Sequence, residues 1–232
     1  MNPDTNPKPA PEKRKIFLVD DHPLVREWLT NLINQQPDLA VCGEAETAPQ
    51  ALAAIGQSQP DVAIVDLSLK DSSGIELIKD LRQCHPHVMV LVLSMHDESH
   101  YAERALRAGA KGYIMKRETT RKVIGAIRQV LEGKLYISEA VAAAMAAAMA
   151  AQFVHGKTLA SGSPAEQLSD RELEVFELLG RGHGTKAIGD MLHLSTKTVQ
   201  AYCARIKEKL NLGSATELLR EAVRWHDRAA SG

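Results

Sequence analysis

Between Lys15 and Gly133 the chain alternates short runs that are apolar throughout with longer runs that are apolar on one face only. The short runs are Lys15–Val19, Leu39–Glu44, Val62–Asp66, Val88–Leu93 and Gly112–Met115. Their length suits strands rather than helices, and a strand without a polar face has to be covered on both sides. The longer runs carry apolar residues at helical spacing: Pro23–Gln35, Ala48–Gln57, Ser73–Arg82, Ser99–Ala108 and Thr120–Glu132. Gly109 follows the fourth of these, where a helix C-terminal stop belongs. Strand and helix repeated in this way give a parallel sheet with right-handed crossovers. The predicted fold is a doubly wound α/β domain, flavodoxin-like, with five parallel strands.

Four of the strands stop at residues with chemistry. They end in Asp20-Asp21, Asp66, Ser94 and Lys116. In open α/β sheets ligands bind at the carboxyl ends of the strands, so these side chains converge on one edge. Three carboxylates brought together repel one another, and a hard divalent cation relieves them. Mg²⁺, which takes a few carboxylates plus water and phosphate oxygens, fits that need. Asp66 is the nucleophile candidate, because an aspartyl carboxylate can attack phosphorus to give an acyl phosphate. The metal and Lys116 would spread the charge of the phosphoryl group, and Ser94 would hydrogen-bond one of its oxygens. Taken singly, an Asp-Asp pair is common in loops, Ser94 is an ordinary strand-end cap and Lys116 a solvated charge. Their joint placement on four strand ends favours a phosphate site.

Beyond Gly133 the texture changes. Val141–Gln152 is nearly all Ala and Met, a strong helix former that either docks on a domain or links two. Gly156–Pro164, rich in Gly, Ser and other small residues, reads as flexible. From Gln167 the pattern is helical: Ser169 with Glu172 has capping-box spacing, and Leu173, Val175, Phe176 and Leu179 form an apolar face. Lys186–Leu192, Thr196–Leu210 and Thr216–His226 follow, a small all-α four-helix unit with a helix–turn–helix at Lys186–Leu210. Val199, Cys203, Ile206 and Leu210 should face its core. Formal net charge is −1, so basic surface must be local, and it is: Arg181, Lys186, Lys197, Arg205, Lys207 and Lys209 outnumber Asp190 and Glu208. The expected limits are a disordered leader over 1–14, the α/β domain over 15–134, a partly helical linker over 135–164 and the helix–turn–helix domain over 165–232. Three scattered cysteines and the lack of a bilayer-length apolar stretch or signal peptide point to the cytoplasm and away from a membrane.

Val19-Asp20-Asp21-His22, Pro60-Asp61-Val62 leading to Asp66, Leu93-Ser94-Met95-His96 and Ala108 to Lys116 resemble the receiver domain of two-component response regulators. By that resemblance Asp66 is the phosphoacceptor, and Asp20, Asp21, Asp66 and the backbone carbonyl of Ser68 hold Mg²⁺. It also implies that Ser94 and Lys116 contact the phosphoryl group. Tyr113 would be the switch aromatic, turning into space that Ser94 vacates, whereas by sequence alone a strand Tyr is ordinary packing. Lys70 departs from the Pro that many receivers carry after the phosphoacceptor, and Ser68 and His96 are expected to border the pocket and tune hydrolysis. Leu168 to Val175, Lys186-Ala187-Ile188, Leu194 to Val199 and Ile206 to Leu210 look like the LuxR-type domain of NarL/FixJ-family regulators. That resemblance implies a DNA-binding regulator of transcription, not an enzyme, phosphorylated by a sensor histidine kinase and paired as a homodimer on double-stranded DNA. Lys186 and Lys197 are candidates for phosphate contacts, and Ser195 caps the helix and leaves backbone amides free for a phosphate. Thr198 is a further DNA-binding candidate, and Gln200, Ala201 and Arg205 are candidates for base edges. Tyr202 touches a phosphate or packs. Family members often carry a basic residue and a His where Gln200 and Tyr202 stand.

Two rival readings start from the same residues. A Mg²⁺-dependent phosphohydrolase with an aspartyl nucleophile would want a second acid two residues on, where Ser68 stands. A regulator that no longer takes phosphate would not need the complete acid, hydroxyl and lysine set. His85/His87 and His96/His100 are closely spaced, but with no third ligand near they read as surface histidines.

Overall fold

The computed structural model describes residues 12–69, 72–118, 120–155 and 164–230. The expectations for most of the leader, for Lys70 and for the flexible stretch before Pro164 fall outside them.

In chain order the first unit contains β1 (Arg14–Val19), α1 (Pro23–Asn34), β2 (Leu39–Ala45), α2 (Ala48–Ser58) and β3 (Val62–Val65). It continues with β4 (Ser68–Leu69), β5 (Ser72–Ser73), α3 (Gly74–Cys84), β6 (Met89–Ser94), α4 (Glu98–Ala108), β7 (Gly112–Met115) and α5 (Thr120–Leu131). Five parallel strands form one sheet in the order β2-β1-β3-β6-β7, so the order reverses beside β1, between β1 and β3. The strand alternation sorts the core into two layers. Ile16, Leu18, Ile64, Leu91, Leu93 and Ile114 pack under Leu29 and Ile33 of α1 and Ile127 and Val130 of α5. Phe17, Val19, Ala63, Val65, Val90 and Val92 pack on the other face, against Ala51 and Ile55 of α2, Leu77 and Leu81 of α3 and Ala105 of α4.

Two local features differ from the sequence reading. Arg14, assigned to the leader, opens β1: it pairs in register with Leu39 and its guanidinium lies 2.8 Å from Asp61. The segment after Gly133 is also pinned, since the Tyr113 N–H donates to the Tyr136 carbonyl at 2.9 Å and Tyr136 bridges Gly112.

The second unit follows α6 (Glu139–His155), which carries the Ala/Met run and packs on α4 through a buried Val141 and a partly buried Met145. Then come α7 (Pro164–Gln167), α8 (Asp170–Gly180), α9 (Thr185–Met191), α10 (Thr196–Lys209) and α11 (Ala215–Ala230). The Ser169 N–H donates to the Glu172 carboxylate at 2.8 Å, closing the capping box that starts α8. Phe176 is fully enclosed, with its ring centroid 5.7 Å from that of Trp225 on α11. Gly180 has no room for a side chain, because a Cβ there would meet the Ala222 carbonyl at 2.5 Å. The apolar layer beneath α4 runs on without a break into Leu168, Leu173 and Phe176, so the two units share a packed seam.

Candidate functional site

The strand ends converge as the alternation requires. The Asp66 N–H donates to the Val19 carbonyl at 2.8 Å and the Lys116 N–H to the Ser94 carbonyl at 2.8 Å, which fixes all of them at one sheet edge. Lys116 Nζ lies 2.6 Å from Asp20 Oδ2 and 2.8 Å from Asp66 Oδ2, with all three side chains at most 8% exposed. Burial raises the Asp66 carboxyl to about 6, with the Asp20 charge adding to the rise and the Lys116 ammonium opposing it. Burial also disfavours the Lys116 ammonium, but the charges of Asp66 and Asp20 outweigh it and hold Lys116 above its ordinary value. Gly74 makes the approach of α3 possible, since a Cβ there would stand 2.2 Å from the Asp66 carbonyl oxygen.

The donor set suits a small hard cation. Ligand atoms of Asp20, Asp21, His22 and Asp66 all lie within 4.8 Å of one another. Asp66 Oδ1 is buried without a hydrogen-bond partner, a costly state for a carboxylate oxygen unless a cation or a phosphorus atom meets it. Carboxylate oxygens at this spacing fit Mg²⁺. His22 was not among the sequence candidates. Its Nδ1 stands 2.8 Å from Asp21 and 3.1 Å from Asp20.

Ser94, wholly buried, accepts from the His96 N–H at 3.2 Å. Tyr113 stands inside, 2% exposed, and its hydroxyl donates to the His96 carbonyl at 2.9 Å. His96 borders the pocket beside Ser68, and it and His100 are partly covered rather than free on the surface. His96 Nε2 is 2.7 Å from Ser68 Oγ, and its Nδ1 is 3.2 Å from Glu177 on α8. His100 stacks on Trp225 with centroids 4.2 Å apart. Both are partly covered by the second unit, whose residues lie too far along the chain for local patterning to reveal. Burial would lower His96, but the Glu177 hydrogen bond and the charges of Glu174, Glu177 and Asp66 hold it above its ordinary value. Burial raises the Glu174 carboxyl against the pull of Arg171 and His96.

The remaining seam is polar and close. Arg104 of α4 pairs with Asp170 at 2.8 Å and donates to the Leu168 carbonyl at 2.8 Å. Arg171 donates to the carbonyls of Leu69 and Ser72, at 2.7 and 2.6 Å, and so grips the β4–β5 hairpin that follows the acidic pocket. His193, in the turn before α10, brings its Nε2 to 3.7 Å from Asp21 Oδ2.

On α10, Ser195 is the N-cap and accepts from the Thr198 N–H at 3.0 Å. Val199 and Ile206 are buried, with Cys203 and Leu210 partly packed beneath them. Lys197, Gln200, Ala201 and Arg205 are exposed on the other side, as is Lys186 on α9. Tyr202 is half-buried, with the Arg205 guanidinium 5.7 Å from its ring centre. Lys209, counted in the basic surface, instead pairs with Glu172 at 2.6 Å and braces the capping box.

Two family models match the chain. Residues 16–152 match the family model described as "Response regulator receiver domain", and residues 166–222 the one for bacterial regulatory proteins of the luxR family. The oxygen regulatory protein NreC of Staphylococcus carnosus is 36% identical over 214 residues, covering 90% of this chain and 97% of NreC. The response regulator GacA of Pseudomonas aeruginosa is 34% identical over 210 residues, covering 90% of this chain and 95% of GacA. Among solved structures, a LuxR-family two-component response regulator from an Aurantimonas species is 36% identical with a TM-score of 0.54, over 56% of this chain and 94% of that one. RcsB of Salmonella enterica serovar Typhimurium, solved on promoter DNA, shares the fold with a TM-score of 0.56 at 23% identity, over 90% of this chain and 98% of RcsB.

Proposed function

We propose how phosphate and DNA are handled from one premise: this chain belongs to the NarL/FixJ family of two-component response regulators, DNA-binding regulators of transcription. Asp66 takes a phosphoryl group from a phosphohistidine of a sensor kinase. Its free Oδ1 attacks phosphorus, the phosphorus–nitrogen bond breaks, and the histidine leaves as the imidazole. The single observation that carries this reading is the meeting of Asp66 with Asp20, Asp21 and Lys116 at one strand edge, with Asp66 Oδ1 unpartnered. Asp20, Asp21, Asp66 and the Ser68 carbonyl would hold Mg²⁺, which supplies charge neutralisation for the transferring group. Lys116 turns from Asp20 and Asp66 towards the phosphoryl oxygens, and Ser94 donates its hydroxyl to another. The chain is not a classical enzyme; its chemistry is confined to gaining and losing this phosphate.

The second domain meets DNA through α10. Ser195, Thr198, Lys197 and Lys186 take backbone phosphates, Gln200, Ala201 and Arg205 face base edges, and Tyr202 braces Arg205. Few phosphates are reached by one small domain, so two copies pair on adjacent half-sites. DNA as partner places the protein in the cytoplasm; among the described residues no helix is long and apolar enough to cross a membrane. Domain limits at 134 and 165 belong to the same reading. The seam described above holds the domains closed, with the turn that leads into α10 set against Asp21. A duplex laid on Ser195 would then face the acidic pocket, so opening favours DNA binding.

Incubation with Mg²⁺ and a small phosphodonor, followed by intact mass measurement, tests the central claim. Wild type should gain one phosphoryl group and Asp66→Asn none. Equal gain in both, or none in either, would overturn it.

A further inference from the structure

We propose that His96 is the residue that transmits phosphorylation to the DNA-binding domain, an inference that rests on Asp66 being the phosphoacceptor. Every part of the expected switch touches this one residue. Its N–H bonds the Ser94 hydroxyl at 3.2 Å, and its carbonyl receives the Tyr113 hydroxyl at 2.9 Å. Its Nε2 lies 2.7 Å from Ser68 Oγ at the rim of the acidic pocket. Its ring also reaches α8: Nδ1 is 3.2 Å from Glu177 Oε2, and Nε2 is 3.7 Å from Glu174 Oε1. Tyr101, with its ring centroid 4.5 Å from that of His96, donates to the same Glu177 oxygen at 3.3 Å. Glu174 and Glu177 are only 1% and 4% exposed; Glu174 keeps Arg171 of its own helix at 2.6 Å, whereas the buried Glu177 carboxylate relies on His96 and Tyr101.

Phosphate disturbs these bonds from two directions. The Ser94 hydroxyl turns to donate to a phosphoryl oxygen, and the His96 N–H then loses the acceptor that fixes its backbone. The phosphoryl group also adds negative charge beside Ser68 and competes with Glu174 and Glu177 for the imidazole. The buried Glu177, left with a weakened partner and a new anion nearby, favours release into water. The other seam contacts act differently. Arg104 with Asp170 joins α4 to the start of α8, and its bonds run to neither Ser94 nor Tyr113. Arg104 holds the domains together, whereas His96 makes the holding depend on phosphate.

The test separates holding from transmission. Hydrogen exchange of α8 is measured in the full chain, with and without Mg²⁺ and acetyl phosphate, and phosphoryl gain is read by intact mass in the same samples. Wild type should show α8 opening at least tenfold more after phosphorylation. Arg104→Ala should open more in both states while keeping that ratio. His96→Ala should take up phosphate with the ratio falling towards one. Glu177→Gln, remote from the acids that take the phosphate, should lose the ratio in the same way, and it decides the matter if His96→Ala alone fails to phosphorylate. Wild-type ratios in phosphorylated His96→Ala or Glu177→Gln would overturn the inference. Lack of phosphoryl gain in wild type would instead bring down the reading of Asp66, and this inference with it.

Discussion

Replacing Lys116 with Met leaves Asp20 and Asp66, each 3% exposed, without the cation that lies 2.6 and 2.8 Å from them. Removing one partner of a buried ion pair costs roughly 3–5 kcal/mol, a large part of the stability of a domain this size. Proton uptake limits the loss. Asp66 already titrates at about 6, and without the ammonium its carboxyl rises further. A carboxyl whose pKa is higher folded than unfolded binds its proton more tightly in the folded state. Stability therefore increases as pH falls through the folded pKa towards the unfolded one. Between wild-type Asp66, near 6, and the higher value in the variant, acidification stabilises Lys116→Met and leaves wild type almost unchanged. The slope there reaches about 1.4 kcal/mol per pH unit for one proton. Urea unfolding in chelator, followed by far-ultraviolet circular dichroism, should show a deficit of roughly 3–5 kcal/mol at pH about 8.5 that shrinks by about 2 kcal/mol at pH about 6.5. Millimolar Mg²⁺ should restore the variant more than it helps wild type, because the metal replaces the lost charge. A deficit equal at both pH values would refute this account of the acids.

Lys197→Ala should weaken DNA binding on every sequence alike and lower the slope of log affinity against log salt by about one, measured by fluorescence anisotropy. Gly74→Ala forces a Cβ to 2.2 Å from the Asp66 carbonyl oxygen, so thermal unfolding should show a loss of about 1–3 kcal/mol and phosphoryl uptake should fall with it. Phe176→Ala empties the centre of the second unit and should cost its unfolding about 3–5 kcal/mol in urea titration, with α8 losing its exchange protection first.

The five sheet strands and the groups at their ends were readable because each strand is a short apolar run, with Ser94 closing β6 and Asp20, Asp66 and Lys116 directly following β1, β3 and β7. Ser195, Lys197 and Gln200 were readable for the same local reason, a cap followed by one helix face. The β4–β5 hairpin was not, since Ser68-Leu69 and Ser72-Ser73 are too short and polar to carry a strand pattern. The contacts of His96 and His100 with the other unit were not readable either, because their partners, Glu177 and Trp225, lie on its helices. Lys209 looked like surface charge until the helix packing brought it to Glu172. Contacts made within a helix turn or a strand leave a trace in sequence spacing; contacts made by docking leave none.

The Arg171 grip on the Leu69 and Ser72 carbonyls bears on how freely the two halves could be exchanged among related proteins. It asks nothing of the receiver's side chains, only of a backbone shape, so any receiver with the same hairpin could accept it. Arg104 and His96 ask for acids at fixed places on α8. A chimera that joined this receiver to another LuxR-type domain lacking those acids would keep both chemistries. It would have no closed state to leave, and its modules would work side by side without conversation.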